Sequence, residues 1–490
     1  SDPLQTSVDV AGTRPSAAMP HTTVVWFGAG GVALGIVGNA VAYFLLVYYN
    51  QVLGIPAYLV GLALAVALIA DACIDPVVGM LSDRTNTRLG RRHPYIYGAL
   101  MPLPLLYFLL WNPPAWATAT HVVGFVYLTT LLIVFRTALA CFDIPSNAMV
   151  PELTSDYDRR TSLMSARLSA AWVAGVSFTI AMYGYFLQPT AAQPDGVLNA
   201  MGYRIASWLG ATLILVSVTA TAFGTHRHVP ALRGARQHAS LDLRAAWTTV
   251  RAIFANGPFR ALMLYAIVYR STDGLFAALW IYLVTYFWLL EPSQIAWLTS
   301  MNLIGSFLAM AVTPWLSRNH DKRTIVLAAN FASLITSCGP ITLRLLGFLP
   351  DRAIFPTLLG VAIFDTFLIV VTVSVLASMI TDLVEDVQRT DGRRHEGAII
   401  SAQTFISKLS TASGTWIAGL VLTAIAFPQA SRVADVTRDT ADSLGLTYLL
   451  VLYGSIALCG ALLFRYKLDR ITHAANVATI GVAPDELRRA

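Results

Sequence analysis

Long apolar stretches alternate with short polar stretches along the whole chain. Each apolar stretch is close to the ~20 residues that a helix needs to cross a membrane, and the two-residue alternation of a transmembrane β-barrel is absent. The pattern predicts an all-α integral membrane protein with twelve spanning segments. These segments, numbered in chain order, are 24–49, 58–81, 94–111, 120–150, 162–188, 205–223, 257–289, 294–316, 323–347, 353–381, 397–427 and 442–466.

The longest internal polar interval follows segment 6 and divides the spans six and six. Residues 240–259 open with a serine suited to a helix N-cap and have an amphipathic composition, which predicts a helix along the membrane surface. The predicted parts are a cytoplasmic tail, a six-helix half, a cytoplasmic linker, a second six-helix half and a second tail, over residues 1–23, 24–223, 224–256, 257–466 and 467–490.

The two halves share short polar patterns at matching places. Ser82 follows segment 2 and Ser317 follows segment 8, 235 positions later. Glu152 follows segment 4 and Glu385 follows segment 10, 233 positions later. Two matches at nearly one offset predict that the halves are parallel repeats of each other.

Composition agrees with a membrane protein, since 56% of the residues are hydrophobic and 12% are charged, against about 25% charged in soluble proteins. Lys and Arg are concentrated in alternate loops, and the loops 50–57, 112–119 and 290–293 carry none. The positive-inside rule then predicts that the basic loops and both termini are cytoplasmic, in a bacterial inner membrane. The net charge of +6 is explained by this topology, and no nucleic-acid partner is expected.

Segment 2 contains two carboxylates, Asp71 and Asp75, four residues apart and therefore on one helix face. A charged group at mid-bilayer costs at least ~2.5–3.5 kcal/mol, and two close carboxylates require a cation, a shared proton or an arginine. Pro76 follows directly and frees backbone carbonyls. The pair predicts a site for a coupling cation or proton, with a structural ion pair as the alternative.

Further charges lie in other segments. Arg136 and Asp143 lie on roughly one face of segment 4, Arg167 is in segment 5, and Lys408 is in segment 11. Lys408 is a candidate functional group, and Trp416, which shares its helix face, is a candidate for lining the same cavity. Arg136, Arg167 and Lys408 are candidate partners for an anionic substrate.

Other polar and aromatic residues of the spans are open to a structural reading. Arg270 and Asp273 are one turn apart in segment 7, and a structural pair is as good an interpretation as a functional one. Asp365 in segment 10 favours a structural role. The aromatic side chains, which include Tyr282 and Tyr286, are expected mostly at the lipid surface or at its interfaces.

The stretch "DACIDPVVGMLSDRTNTRLGRRHPY", Asp71–Tyr95, resembles the glycoside–pentoside–hexuronide:cation symporters, a branch of the major facilitator superfamily. Three more stretches agree in the same order, namely Phe142–Leu168, Asn256–Leu264 and Asp391–Gly414. The resemblance implies the 12-helix major facilitator fold, with a central cavity between the two halves.

The resemblance also implies roles for individual residues. Asp71 and Asp75 would bind the coupling cation, while Asp143, Arg167 and Lys408 would line the sugar cavity. The arginines of the loop after segment 2 would pair with Glu152 or Asp156, and Asp83 would face a helix N-terminus, which holds the cytoplasmic side closed. The residues of this cytoplasmic motif are Gly79, Asp83, Arg84, Gly90, Arg91, Arg92, Glu152 and Asp156.

Four positions depart from melibiose-permease-like members of the family. Ile74 and Ala140 stand where sodium-coupled members carry polar ligands, which favours a proton over Na+. Gly35, aligned on "YYNQVLG", stands where an aspartate contacts the sugar, and Asn147 stands where a tryptophan covers it.

These observations predict a secondary active transporter that carries a sugar, glycoside or hexuronide together with H+ or Na+ by alternating access. It is expected to need no cofactor and to work as a monomer in the bilayer. An amphiphile such as a lysophospholipid is the alternative substrate, because lysophospholipid symporters are similar and the substitutions make the cavity more apolar. An intramembrane enzyme is a poorer hypothesis, since the sequence has no Gly-x-Ser-x-Gly or His-Glu-x-x-His motif. A channel is also a poorer hypothesis, because the repeat and the charges within the spans suit two halves that rock.

Overall fold

The computed structural model describes residues 21–154, 156–191, 193–227, 257–391 and 396–464. Within them, twelve helices are long and apolar enough to cross a membrane, as the hydrophobic pattern predicts. In chain order, α1–α12 are Thr22–Val52, Ala57–Arg84, His93–Trp111, His121–Leu153, Arg159–Phe186, Ala200–His226, Phe259–Phe287, Pro292–Asn319, Lys322–Leu345, Asp351–Ile380, Gln403–Ala424 and Arg438–Phe464.

Several helix ends differ from the predicted ones. The helix that contains α10 runs on to Asp391, through most of a stretch predicted as a loop, because residues 381–391 contain no Gly or Pro. Conversely, α3 is interrupted after Ala99 and resumes at Pro102. Pro102 and Pro104 lack the N–H groups that would continue the backbone hydrogen bonds.

The predicted linker helix and both predicted tails lie largely outside the described residues. Residues 228–256 include most of the linker, and residues 1–20 and 465–490 include most of the two tails. These assignments stay predictions.

Glycines bring the first and fifth helices of each half into backbone contact. A Cβ on Gly35 of α1 would lie 1.8 Å from the carbonyl oxygen of Ala171 in α5, and one on Gly175 would lie 2.9 Å from the carbonyl oxygen of Gly35. In the second half, Gly274 of α7 and Gly414 of α11 make the same crossing. Gly35 and Gly274 are 239 positions apart, and so are Gly175 and Gly414. The same helix crossing therefore occurs at equivalent positions of the two halves.

The two halves share one apolar core, and its second-half members lie toward the face opposite the basic loops. This core contains residues from α1, α2, α7 and α11, among others. At the face that carries the basic loops, two further clusters each contain residues of one half only. One contains Phe27, Val150 and Leu163 of the first half, and another contains Phe259 and Met379 of the second half.

Polar contacts between the halves reinforce this closure. The Tyr282 hydroxyl of α7 donates to the Asn50 side-chain oxygen of α1 at 2.9 Å. Gln51 donates to the Pro428 carbonyl at 2.9 Å and accepts from Tyr286 at 3.4 Å. Tyr282 and Tyr286 are buried because the end of α7 packs against the other half, so these two differ from the lipid-surface or interfacial position expected for most of the aromatic side chains.

Candidate functional site

The two carboxylates of α2 share one cation from the other half of the protein. The ammonium group of Lys408 in α11 donates to Asp71 Oδ2 at 2.8 Å and also to Asp75 Oδ2. The prediction that both acids lie on one helix face is confirmed by this shared partner. The side chain of Asp71 is buried, and those of Asp75 and Lys408 are largely buried.

Small residues let α2 and α11 approach closely enough for this contact. A Cβ on Gly419 would lie 2.4 Å from the Ala57 carbonyl oxygen, and one on Gly61 would lie 3.1 Å from the Thr415 carbonyl oxygen. This crossing lies at the closed face, and Lys408 lies about 16 Å further along α11 at ~1.5 Å per residue. Trp416 is at the crossing and is 40% exposed; its role in lining the cavity stays a prediction.

A second cation approaches the acid pair from α4. The guanidinium Nη1 of Arg136 lies 3.8 Å from Asp71 Oδ2. One turn further along α4 is Ala140, which is buried and offers no oxygen. The sequence predicted Arg136 as a partner of the substrate, whereas the structure places it beside Asp71.

Asp143 and Arg167, both expected to line the sugar cavity, form an ion pair with each other. Arg167 donates to Asp143 Oδ1 at 2.8 Å and to Ser146 Oγ at 2.8 Å, and its guanidinium lies over the rings of Phe27 and Phe142. The Arg167 side chain is 2% exposed, so this ion pair is internal to the first half.

The predicted substrate group is therefore divided between two places. Asn147 joins the Asp143 pair, since its side-chain nitrogen donates to Asp143 Oδ1 at 2.9 Å. Lys408 contacts Asp71 and Asp75, because the α2–α11 crossing brings these side chains together. A substrate that contacts both Lys408 and Asp143 stays a prediction.

Gly35 is part of a helix crossing, and the interpretation of this position as a lost sugar contact needs correction. The backbone of α5 occupies the space where a side chain at Gly35 would lie. One π-helical turn, Ala40–Phe44, lies between Gly35 and the "YYNQVLG" stretch, and a second, Tyr48–Val52, lies within that stretch. Such turns shift the helical register. By contrast, a Cβ at Gly38 would meet no atom within 4 Å.

The loop after α2 is tied to the end of α4. Arg91 contacts Glu152 at 2.6 Å, and Arg92 contacts Glu152 at 3.2 Å and Asp83 at 2.6 Å. Arg92 immediately precedes the helix that begins at His93, but Asp83 contacts its side chain, so the position of Asp83 at a helix N-terminus stays a prediction. The predicted pairing with Glu152 is confirmed, but these contacts lie within the first half, and they do not join the two halves.

The other residues of the motif have simpler surroundings. Gly90 has a φ of +83°, which favours glycine, and its carbonyl accepts from Thr87. Gly79 lies beside Ile144, and Arg84 is exposed. Asp156, the alternative partner of the loop arginines, contacts Arg159 at the start of α5 at 3.5 Å.

Two further carboxylates in the second half have local partners. Asp365 of α10 accepts hydrogen bonds from Thr336 and from Ser337 of α9, the latter at 2.8 Å. Asp273 contacts Arg270 of the same helix at 3.6 Å, and half of its side chain is exposed. Both arrangements agree with a structural role for these carboxylates.

Sequence reasoning missed the contacts that close one face. Asn50 and Gln51 are adjacent amides at the end of an apolar helix, and Tyr282 and Tyr286 are one turn apart at the end of α7. Adjacent amide side chains at the end of a span indicate a contact with another part of the protein, since buried amides need hydrogen-bond partners.

Comparisons with known proteins agree with this architecture. The family model described as MFS/sugar transport protein matches residues 26–470. The isoprimeverose transporter of Lactiplantibacillus pentosus is 23% identical over 94% of this chain and 92% of its own length. The sodium-dependent lysophosphatidylcholine symporter 1-B of Danio rerio is 22% identical over 86% of this chain and 82% of its own length.

A shorter match and a solved structure complete the comparison. An uncharacterized symporter of Synechocystis sp. is 32% identical over 38% of this chain, and the match spans 34% of that relative. The crystal structure of a mutant of the nucleoside transporter NupG shares the fold, with a TM-score of 0.63 at 12% identity over 91% of this chain and 100% of that one.

The match to residues 26–470 covers nearly all of the described helices. The relatives and structural neighbours are membrane transporters and not enzymes. The resemblance to the glycoside–pentoside–hexuronide:cation symporters is thereby confirmed. The chain is a multi-pass membrane protein of twelve spans, and it belongs to the MFS/sugar transport protein family.

Proposed function

We propose that this protein is a proton-coupled symporter of a sugar, glycoside or hexuronide that works by alternating access. The observation that carries the proposal is the bond of Lys408 to both Asp71 and Asp75, because it joins the halves through charges that a coupling ion would change. The site roles of Asp71, Asp75, Asp143, Asn147, Arg167 and Lys408 are part of the proposal.

Coupling follows from competition for the two carboxylates. Two unit charges 4 Å apart interact by about 4 kcal/mol at an effective dielectric constant of 20. Protonation of one carboxylate removes its part of this attraction and weakens its hold on Lys408. The freed ammonium group can then donate to a hydroxyl or carboxylate of the substrate. A ligand favours one state only through contacts that differ between states. The contact between Lys408 and the substrate is such a contact, because it forms only after a carboxylate is protonated.

The direction of opening follows from the predicted topology. With the basic loops in the cytoplasm, the shared core and the Tyr282–Asn50 bond close the outer face. The separate clusters at the basic face then correspond to a state that opens inward. An outward-open state requires the outer contacts to break as the halves rock. We place both termini in the cytoplasm and propose that the monomer is the working unit.

The proton is favoured over Na+ because the acid pair has apolar neighbours. Ile74 lies between the two carboxylates in the sequence, and Ala140 is buried on the face of α4 that Arg136 shares. Hard cations are bound by several oxygen ligands, and neither side chain supplies one. A proton needs only a carboxylate.

The choice among sugars turns on charge. Asp71, Asp75 and Asp143 are contacted by Arg136, Arg167 and Lys408, so this group of six side chains carries no net charge. An anionic substrate such as a hexuronide would bind only after a cation is released. The isoprimeverose transporter supports a neutral glycoside.

An amphiphile is the second candidate. The lysophosphatidylcholine symporter of Danio rerio supports it, and the open, side-chain-free surface at Gly38 on α1 would suit an acyl chain. The two candidate substrates can be distinguished by the counterflow assay, because only the compound that the protein transports should show counterflow.

Counterflow in proteoliposomes tests the proposal. Vesicles loaded with one compound from a panel of pentosides, glucosides, glucuronides and lysophosphatidylcholine are diluted into its labelled form. A transporter shows a transient accumulation of label for its own substrate, and a pH gradient imposed without Na+ should then drive net uptake. Counterflow of the lysolipid alone would favour the second candidate, and the absence of any pH response would reject proton coupling.

A further inference from the structure

We propose that Arg136 is a built-in counter-ion that takes the place of an alkali cation beside Asp71 and makes the acid pair indifferent to Na+. The proposal rests on the proposed role of the acid pair in coupling, and it adds a residue that determines which ion the pair accepts.

Arg136 contacts Asp71 in a way that differs from the other ion pairs nearby. Lys408 bonds to the same carboxylate at 2.8 Å, and Arg167 bonds to Asp143 at 2.8 Å. Arg136 stays at 3.8 Å, and its Nε is buried without a hydrogen-bond partner among the described residues. The guanidinium is therefore held near Asp71 mainly by charge, which is also how a bound cation would be held.

The charges around the acid pair balance only because Arg136 is present. Asp71 and Asp75 contribute two negative charges, and Lys408 contributes one positive charge to both. Arg136 supplies the second positive charge. Without it, the pair would keep one net negative charge in a largely buried place, where an uncompensated charge is unfavourable. That deficit is what a monovalent cation would fill.

The space beside Asp71 is arranged for a tethered cation and not for a free one. Ala140 and Arg136 are four residues apart and lie on one face of α4. The chain thus presents a methyl group and a guanidinium at this face, where a free hard cation would need oxygen ligands. Removing the long Arg136 side chain would leave room for the cation together with the waters that complete its shell.

The test measures Na+ binding to purified protein without any substrate. Thermal unfolding is compared in NaCl, LiCl, KCl and choline chloride at matched ionic strength. Wild type should unfold at the same temperature in all four salts. Arg136→Ala and Arg136→Gln should gain a stabilisation in NaCl or LiCl of about 2 °C or more over choline chloride.

Three variants serve as controls. Arg136→Lys keeps the charge and should stay indifferent to Na+. Arg270→Gln removes a different intramembrane arginine, which contacts Asp273 in α7, and should gain no Na+ response. Adding Asp71→Asn to Arg136→Ala should abolish the gained response, because the negative charge that attracts the cation is gone.

Several results would overturn the proposal. They are a Na+ response in wild type or in Arg136→Lys, and the lack of one in folded Arg136→Ala and Arg136→Gln. If both neutral variants fail to fold in choline chloride, recovery of folded protein in NaCl supports the proposal. Failure in both salts beside a folded Arg136→Lys rejects it. Because no substrate is used, these outcomes are separate from whether the protein carries a sugar.

Discussion

Lys408 of α11 donates hydrogen bonds to both Asp71 and Asp75 of α2, across the boundary between the two halves. The closed crossing at Gly61 and Gly419 lies on one side of this contact. The separate clusters of the basic face lie on the other. Lys408 therefore lies between the closed and the divided parts of the interface, where a change of charge can act on both halves.

Asp71→Asn or Asp75→Asn should reduce accumulation against a gradient at least about tenfold, equivalent to ~1.4 kcal/mol of lost coupling, and should spare counterflow. The reason is that an amide cannot take up the proton that drives net transport. Proteoliposome uptake with an imposed pH gradient measures the first effect, and exchange without a gradient measures the second. Asp321→Asn, outside the acid pair, is a matched control. Full gradient-driven uptake by the double variant would show that the pair does not couple.

Lys408→Met should lower the affinity for substrate and also the thermal stability, because it leaves two buried carboxylates without their shared cation. Breaking a buried pair costs about 3–5 kcal/mol. Lys408→Met combined with Asp75→Asn should recover a large part of that stability, since one uncompensated charge is removed. Thermal unfolding tests the recovery and calorimetry tests the affinity. Unchanged affinity with lost stability in Lys408→Met would assign the residue a purely structural role.

Uptake should respond to an inward pH gradient in the complete absence of Na+. The physical reason is that Ile74 and Ala140 supply no oxygen ligands beside the carboxylates. The measurement is initial uptake into proteoliposomes in choline buffers, with a protonophore as the control that should abolish the response. A strict requirement for Na+ at constant pH would contradict the choice of ion and would leave the transport fold intact.

Tyr282→Phe should shift the protein toward an outward-open state, because it removes the 2.9 Å bond to Asn50 at the closed face. One hydrogen bond contributes about 0.5–1.5 kcal/mol, so the open population should rise several-fold. Labelling of a Leu46→Cys reporter, buried near this closure, by an external maleimide reports the shift in a background without native cysteines. Tyr265→Phe, whose hydroxyl pairs with Asn330 within the second half, should leave the labelling rate unchanged.

Gly35→Ala should strongly reduce the yield of folded protein, whereas Gly38→Ala should be tolerated. Both glycines lie in α1, so the gain in helix propensity, about 1 kcal/mol, is the same. The Cβ at Gly35 would lie 1.8 Å from a backbone oxygen of α5, and the Cβ at Gly38 would meet nothing within 4 Å. Fluorescence size-exclusion profiles of the detergent-extracted variants measure the difference. Equal yields would mean that α1 and α5 do not cross at Gly35.

The number of spans and the presence of repeats could be predicted from the sequence because each depends on local patterns. A bilayer sets the length of an apolar helix, and all twelve spans were recognised from length and hydropathy. Helix ends were less predictable. The helix that contains α10 continues to Asp391, since backbone hydrogen bonding does not stop where the membrane does.

The charged residues of the site were also visible in the sequence, because a buried charge is costly and needs a reason. The pairing among them was decided only by the tertiary structure. Lys408 is 333 positions from Asp75, and the Gly61 and Gly419 crossing determines that they meet. Arg136 reaches Asp71 and Arg167 reaches Asp143 because side chains from different helices compete for the nearest opposite charge. A sequence shows which charges need partners, and the packing of the helices selects the partners.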